Sequence, residues 1–353
     1  MRLGAIVVIA AKEKMLGDTP TVSRPAAGED LFPGPLACIE VGGRSVLDRM
    51  LDRYQQAGVE TVLVLVEAGL PLSLFPTARG VEVQLVDDLS SAIGRRLSEF
   101  SSDGIEHAFV NSAVAYAEVD LLDLFYFHRE SRQASTRASD DRGHLDLWVA
   151  DCAKAQVAGM GKLSNEYESS GNPYLVRGYV GRLMQPRDLR QFSIDVLNGR
   201  CQMGPSGSEI RPRVWIGEGA ELHSRARVVA PVYIGCRSKI REDAVITRSS
   251  NIERDCFIDS ATVIDNSSVL PHTHIGICLD VCNAVVEENK FLSLDRGVTI
   301  AISEPRVMRS TGTGRGKAAG LSAAGLLRKS ATACEAGLPL RGAWQFGTNL
   351  FQE

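Results

Sequence analysis

The sequence predicts two structured domains in a row: an α/β domain with a mostly parallel sheet over residues 1–205, and a prism of short strands over 212–307, followed by a linker and tail over 308–353. Three observations predict this. Before residue 200, strand-like and helix-like patterns alternate, as they do where parallel strands carry helices on their faces. From Ile216 onward every sixth residue is aliphatic. Past about Val307 the stretch "RSTGTGRGKAAGLSAAG" is rich in Gly, Ser, Thr and Ala and reads as a flexible linker. With 353 residues, each of the two domains can bury a core of its own.

The first half begins with "AIVVIAA", a candidate buried strand. Residues 45–58, "SVLDRMLDRYQQAG", place Val46, Leu47, Met50, Leu51 and Tyr54 on one helical face, with Gly58 as the stop signal. "TVLVLVE" and "VEVQLVDD" are strands, Ser90 to Phe100 is a helix, and "EHAFVNS" is a strand. "VDLLDLFYFHRE" is helical, "LDLWVA" and "YLVRGYV" are strands, and "PRDLRQFSIDVLNG" is a helix opened by proline.

In the second half the aliphatic ladder runs Ile216, Leu222, Val228, Ile234, Ile240, Ile246, Ile252, Ile258, Ile264, Leu270. Four residues after each rung stands a mostly small residue: Ala220, Ala226, Val232, Ser238, Ala244, Ser250, Cys256, Thr262, Ser268 and His274. A period of six is neither helical nor a hairpin alternation; the chain turns a corner every six residues, with one side chain per short strand pointing inward. The pattern, with "IGEGAE" at 216–221 and "IGCRSK" at 234–239, resembles the hexapeptide-repeat, left-handed parallel β-helix family, in which three hexapeptides make one coil. The register breaks at "PHTHIGICLDVCNAVVEENK", and the apolar residues beyond it close the last coil. A prism cannot bury its own ends, so a cap, a neighbouring domain or an oligomer is expected.

The order of elements, joined to such a prism, resembles the sugar-1-phosphate nucleotidyltransferase family over roughly residues 3–275, through "PLACIEVGGRSVLDRMLDRYQQAGVETVLVLV", "FVNS...FHRE" and the repeat. The resemblance implies a Rossmann-like, GT-A-like nucleotidyltransferase domain before the left-handed β-helix. It also implies candidate substrate positions at Ala10, Ala11, Lys12, Arg24 and Asn111. Four of the family's chemical stations have changed. The first strand leads into "KEKMLGDTPTVSRPAAGED" and not into a glycine-rich phosphate loop ending in arginine. Gly34 stands between Pro33 and Pro35 where the family keeps a phosphate-contacting lysine. Ser112 and Arg182 stand where it keeps carboxylates for Mg²⁺, and neither suits a hard cation.

A phosphoryl-transfer site without metal and cations loses most of its catalysis. The expectation is therefore a nucleotidyltransferase-like protein of nucleotide-sugar and polysaccharide metabolism with lost or impaired turnover. It would bind a nucleotide sugar or sugar phosphate, or serve as a regulatory subunit beside an active paralogue or in a homo-oligomer. Alternatives are an active transferase with a rearranged loop, in which Arg24, Lys12 or Lys14 and the carboxylates of Asp18, Glu29 or Asp30 take over with Mg²⁺, and a hexapeptide acyltransferase or assembly module. For the acyltransferase, His223, His272 and His274 are candidate bases, weighed against a corner-filling His274 and two solvent-exposed rings.

Other features carry less. "GTGRGK" at 312–317 lacks the rest of a phosphate loop, "RASDDRGH" at 137–144 reads as a solvated turn, and Cys278 and Cys282 read as core filling more than as a metal site. The eight cysteines form no C-x-x-C pair, which argues against a zinc site or disulfide framework and for a reducing cytoplasm. A net charge of -4 gives no electrostatic reason to expect nucleic acid or an anionic membrane, and the N-terminal apolar run is too short to span a bilayer.

Overall fold

The computed structural model describes residues 2–11, 32, 34–71, 75, 81–154 and 172–312. Met1–Gly312 forms one compact unit, a mixed α/β structure with several parallel sheets. No helix among the described residues is long and apolar enough to cross a membrane.

The first half contains β1 (Leu3–Ile9), the ribbon β2 (Glu40–Val41) and β3 (Arg44–Ser45), helix α1 (Val46–Gln56), β4 (Thr61–Glu67), β5 (Val81–Val86), α2 (Leu89–Ser102) and β6 (His107–Ser112). It continues with β7 (Ala115–Ala117), α3 (Leu121–Ser131), β8 (Ser135–Asp140), β9 (Gly143–Asp151), β10 (Tyr174–Leu175), β11 (Val180–Arg182) and α4 (Pro186–Leu197). Seven strands form one sheet in the order β10-β8-β9-β6-β1-β4-β5. β1 is parallel to both β4 and β6, while β9 runs antiparallel to β6 and β8. The chain thus fills one side of β1 first and then crosses to the other.

Every residue of β1 is buried because helices cover both faces. Ala5, Val7 and Ile9 join Leu47, Met50 and Tyr54 of α1 and Leu124 and Phe125 of α3. Ile6 and Val8 join Ile93, Leu97 and Phe100 of α2. Helix α1 starts where the sequence signals it. Ser45 accepts the Asp48 amide at 3.0 Å and Asp48 reaches back to the Ser45 amide, a reciprocal cap.

Two expectations need correction here. "YLVRGYV" is two strands in different sheets: β10 extends the main sheet, and β11 pairs antiparallel with β7, because the chain breaks at Val176–Tyr179. "RASDDRGH" is a solvated turn only at its centre, Asp141–Arg142; its flanks are the arms of the β8–β9 hairpin, and Asp140 at the edge of the turn is held by Arg182.

In the second half the chain visits three sheets in rotation. Val214–Ile216 pairs parallel with Val232–Ile234, Glu221–Leu222 with Lys239–Ile240, and Arg227–Val228 with Val245–Thr247, each 18 residues on. The rungs face a common interior: Ile234, Ile240, Ile246, Ile252, Ile258 and Ile264 form one buried cluster. The small polar residues near the corners are buried and donate to the next turn of chain, Ser238 Oγ to the Glu253 carbonyl at 2.6 Å and Thr262 Oγ1 to that of Gly276 at 2.6 Å. That is why hydroxyls are tolerated inside.

The ladder does not end at Leu270, and Leu270 is not a rung. Ile252 pairs with Val269, 17 residues on, so one residue is missing from the corner at Asn266, whose φ is 45°. The rungs then continue through Val269, Ile275 and Val281 to Val286. By the same slip, the corner positions assigned to Ser268 and His274 are taken by Ser267 and Thr273, both fully buried. Leu270 turns outward and joins Val285 and Leu292 in the apolar cluster of the first half. The antiparallel strands Lys290–Ser293, Val298–Ala301 and Met308–Ser310 finish the stack, with Met308 buried against the inner rungs.

Polar contacts join the two halves further. Gly42 and Gly43, in the β2–β3 turn, donate their amides to the Glu253 carboxylate at 2.9 and 2.8 Å. Arg190 of α4, 2 % exposed, donates to the carbonyl of Ser249 at 2.8 Å and to Asn266 Oδ1 at 3.0 Å.

Candidate functional site

In an open sheet, ligands enter the crevice beyond the carboxyl ends of the strands, where the strand order reverses. Here that place lies between β1 and β6, and of the sequence candidates Ala10 and Ser112 meet there. Val8 pairs with Ser112, and the Ala113 amide donates to the Val8 carbonyl at 2.9 Å. Ala10, Ser112 and the turn Pro35–Ala37 line one cavity there of about 10 Å³, with Val8, Ile9, Ala113 and Val114 completing a mainly apolar wall. That is room for about one water molecule.

The candidates are placed as follows. Ala11 is exposed, but its amide is taken by Glu67 Oε2 at 2.7 Å, at the end of β4. A backbone donor that could meet a phosphate meets a carboxylate instead. Asn111 is buried, and it lines with Tyr54 and Met50 of α1 a small cavity on the α1 side of the sheet; burial holds the Tyr54 hydroxyl well above the usual tyrosine range. Ser112 is 2 % exposed. Gly34, half-buried, precedes the short 3₁₀ turn Leu36–Cys38. Lys12, Arg24 and Pro33, and with them Lys14, Asp18, Glu29 and Asp30, lie outside the described residues.

Arg182 stands at the end of β11 and grips both carboxylate oxygens of Asp140, at 2.7 and 2.8 Å. The guanidinium holds the Asp140 carboxyl below the usual carboxylate range. Beside this pair a cavity of about 500 Å³ is lined by Asp140, Asp141, Arg142 and Arg177. Glu67 and Asp140 were both missed in the sequence. The one signal for Glu67 was an acidic residue closing an apolar strand; Asp140 was hidden in what read as a charged turn.

The histidines and cysteines do not assemble a second site. His223 is exposed. His272 sits at a corner with φ 60° and contacts Arg254 Nη1 at 2.7 Å. His274 lies within a strand, not at a corner, and stacks on Phe257 with ring centroids 5.2 Å apart. Cys278 and Cys282 are exposed, not core filling: Cys278 sits at a left-handed corner, and the slip at Asn266 turns Cys282 off the rung position that counting by six would give it. Among the described residues no group of three or more His, Cys, Asp or Glu could hold a metal ion.

Compared with protein-family models and with curated proteins, the chain matches none.

Proposed function

We propose that this chain is a sugar-phosphate nucleotidyltransferase-like protein, built as a Rossmann-like, GT-A-like domain on a left-handed parallel β-helix. In this reading it has given up turnover and serves nucleotide-sugar metabolism as a ligand-binding or regulatory subunit, in a homo-oligomer or beside an active paralogue. The rotation of the chain through three parallel sheets supports the β-helix, and the reversal of strand order at β1 supports the nucleotidyltransferase-like half.

One observation carries the loss of turnover. At the stations that phosphoryl chemistry needs, this chain's groups are already engaged: Ala11 N–H by Glu67, and Arg182 by Asp140. Mg²⁺ does not fit the residues standing at the expected ligand positions, a buried serine hydroxyl and a guanidinium.

The test is a screen of the purified chain against NTPs, sugar 1-phosphates and nucleotide sugars with Mg²⁺, following melting temperature and pyrophosphate release together. A ligand that binds only the native state raises the melting temperature. The expected result is a rise with a nucleotide sugar or sugar phosphate and no pyrophosphate. Metal-dependent release that disappears on replacing Asp18, Glu29 or Asp30 would establish the active transferase instead.

A further inference from the structure

A second, roomier cavity among the described residues shares no residue with the β1–β6 crevice. It measures about 740 Å³, inside the range of small-molecule sites, and lies between the start of α3, the end of α1 and the segment 172–178. Its wall is built, not incidental. Gly178 sits so close to the Glu118 carbonyl that a Cβ there would come within 2.0 Å of it, so the segment can approach only as glycine.

The polar groups of the wall differ in what they have free. Asp120 spends one carboxylate oxygen on the amides of Leu122 and Asp123, and Asp123 accepts the Tyr174 hydroxyl at 2.6 Å. Arg53 donates to the Val119 carbonyl. Glu118 is 7 % exposed, and both of its bonds, from the Gln202 amide at 2.6 Å and the Tyr116 hydroxyl at 3.3 Å, go to Oε1. Its Oε2 therefore has no partner among the described residues. Glu118 is thus a buried residue with one carboxylate oxygen open on the cavity, available to accept from a ligand hydroxyl. Arg177 is exposed on the opposite segment and contributes donors.

The charge balance selects the ligand. Three carboxylates against two guanidiniums line the space, which disfavours an anion. Carboxylates accept hydroxyl protons, a guanidinium fork donates to adjacent hydroxyl oxygens, and aromatic walls cover the apolar face of a saturated ring. Phe127 and Tyr174 supply such a wall, edge to face with centroids 5.6 Å apart. From these groups we infer a second binding site, for a neutral polyhydroxylated ring of pyranose size, with Glu118 Oε2 and Arg177 as its polar anchors. It does not rest on the nucleotidyltransferase-like reading.

The full chain is tested by saturation-transfer NMR and calorimetry with the methyl α-glycosides of glucose, mannose and galactose, and with glucose 1-phosphate as the anionic comparison. At least one methyl glycoside binds, the phosphate adds nothing, and Glu118→Gln or Arg177→Ala weakens binding by about tenfold, the loss of one charge-assisted hydrogen bond. The melting temperature of each variant reports its folding; Arg177, exposed, decides the matter if Glu118→Gln does not fold. Absence of binding by all three glycosides, binding unchanged in Arg177→Ala, or tighter binding of the phosphate overturns the assignment.

Discussion

The junction between the halves offers a double-mutant cycle whose sign follows from geometry. Gly43 has φ 82°, and a Cβ added there would lie 2.2 Å from the Tyr233 hydroxyl oxygen and 3.1 Å from its Cζ. That hydroxyl is fully buried and has no hydrogen-bond partner among the described residues. Removing an orphaned hydroxyl relieves its desolvation cost but opens a space of one atom, so Tyr233→Phe is expected to be neutral to about 1 kcal/mol stabilising. Gly43→Ala carries the left-handed backbone, about 1 kcal/mol, plus an overpacking cost of about 1–3 kcal/mol, together roughly 2–4 kcal/mol. In the double variant the 2.2 Å contact is gone while the 3.1 Å contact and the backbone strain persist. The two changes should therefore couple favourably by about 1–2 kcal/mol, without full rescue. Urea denaturation of the four proteins at 25 °C measures this. A loss of more than about 1 kcal/mol in Tyr233→Phe alone, or strict additivity, would refute the argument, since either means that the hydroxyl is bonded or the turn moves freely.

Two further outcomes follow from the same junction. Burial lifts the Glu253 carboxyl from its ordinary 4.5 to about 7, with the amides of Gly43 and Gly42 and the side chain of Asn251 opposing the rise. A raised carboxyl favours the folded state most below about pH 4.5 and loses that contribution as pH climbs toward 7, about 3 kcal/mol in all. Denaturation midpoints across pH 4.5 to 7 should show this slope in the parent chain and a flatter one in Glu253→Gln; equal slopes count against it. Leu270→Ala should cost about 3 kcal/mol by leaving a cavity among the first half's residues, and a cost under about 1 kcal/mol would mean that the side chain is not packed there.

How much of this was legible in the sequence depended on the range over which each signal acts. The buried face of α1 and its cap at Ser45 are set within a few residues, so they could be read directly. The rungs from Ile216 to Ile264 also declared themselves, because a corner every six residues leaves a mark in composition. The slip after Ile264 did not, because Val269 and Leu270 are both aliphatic neighbours; which one faces inward is decided by the left-handed corner at Asn266 and not by hydrophobicity. In the crevice, Ala10 and Ser112 could be matched as ends of neighbouring strands. That Glu67 would occupy the Ala11 amide, or Asp140 the Arg182 fork, required knowing partners 56 and 42 residues away. The cavity beside Glu118 was invisible for the same reason, being assembled from four separate stretches of chain.

The bonds between the halves also divide the stack into two stretches with different freedom to evolve. Bonds to the first half reach residues 249–294, through Arg190, Glu253, Arg254 and the Leu294 carbonyl. Upstream of them, pairing repeats every 18 residues, so a whole turn of chain could be inserted or removed before Val232 with every later side chain keeping its face. Downstream, the same insertion would carry Leu270 away from its apolar seat. The length of this protein's stack is thus adjustable from one end alone, and the residues bonded to the first half mark where that liberty stops.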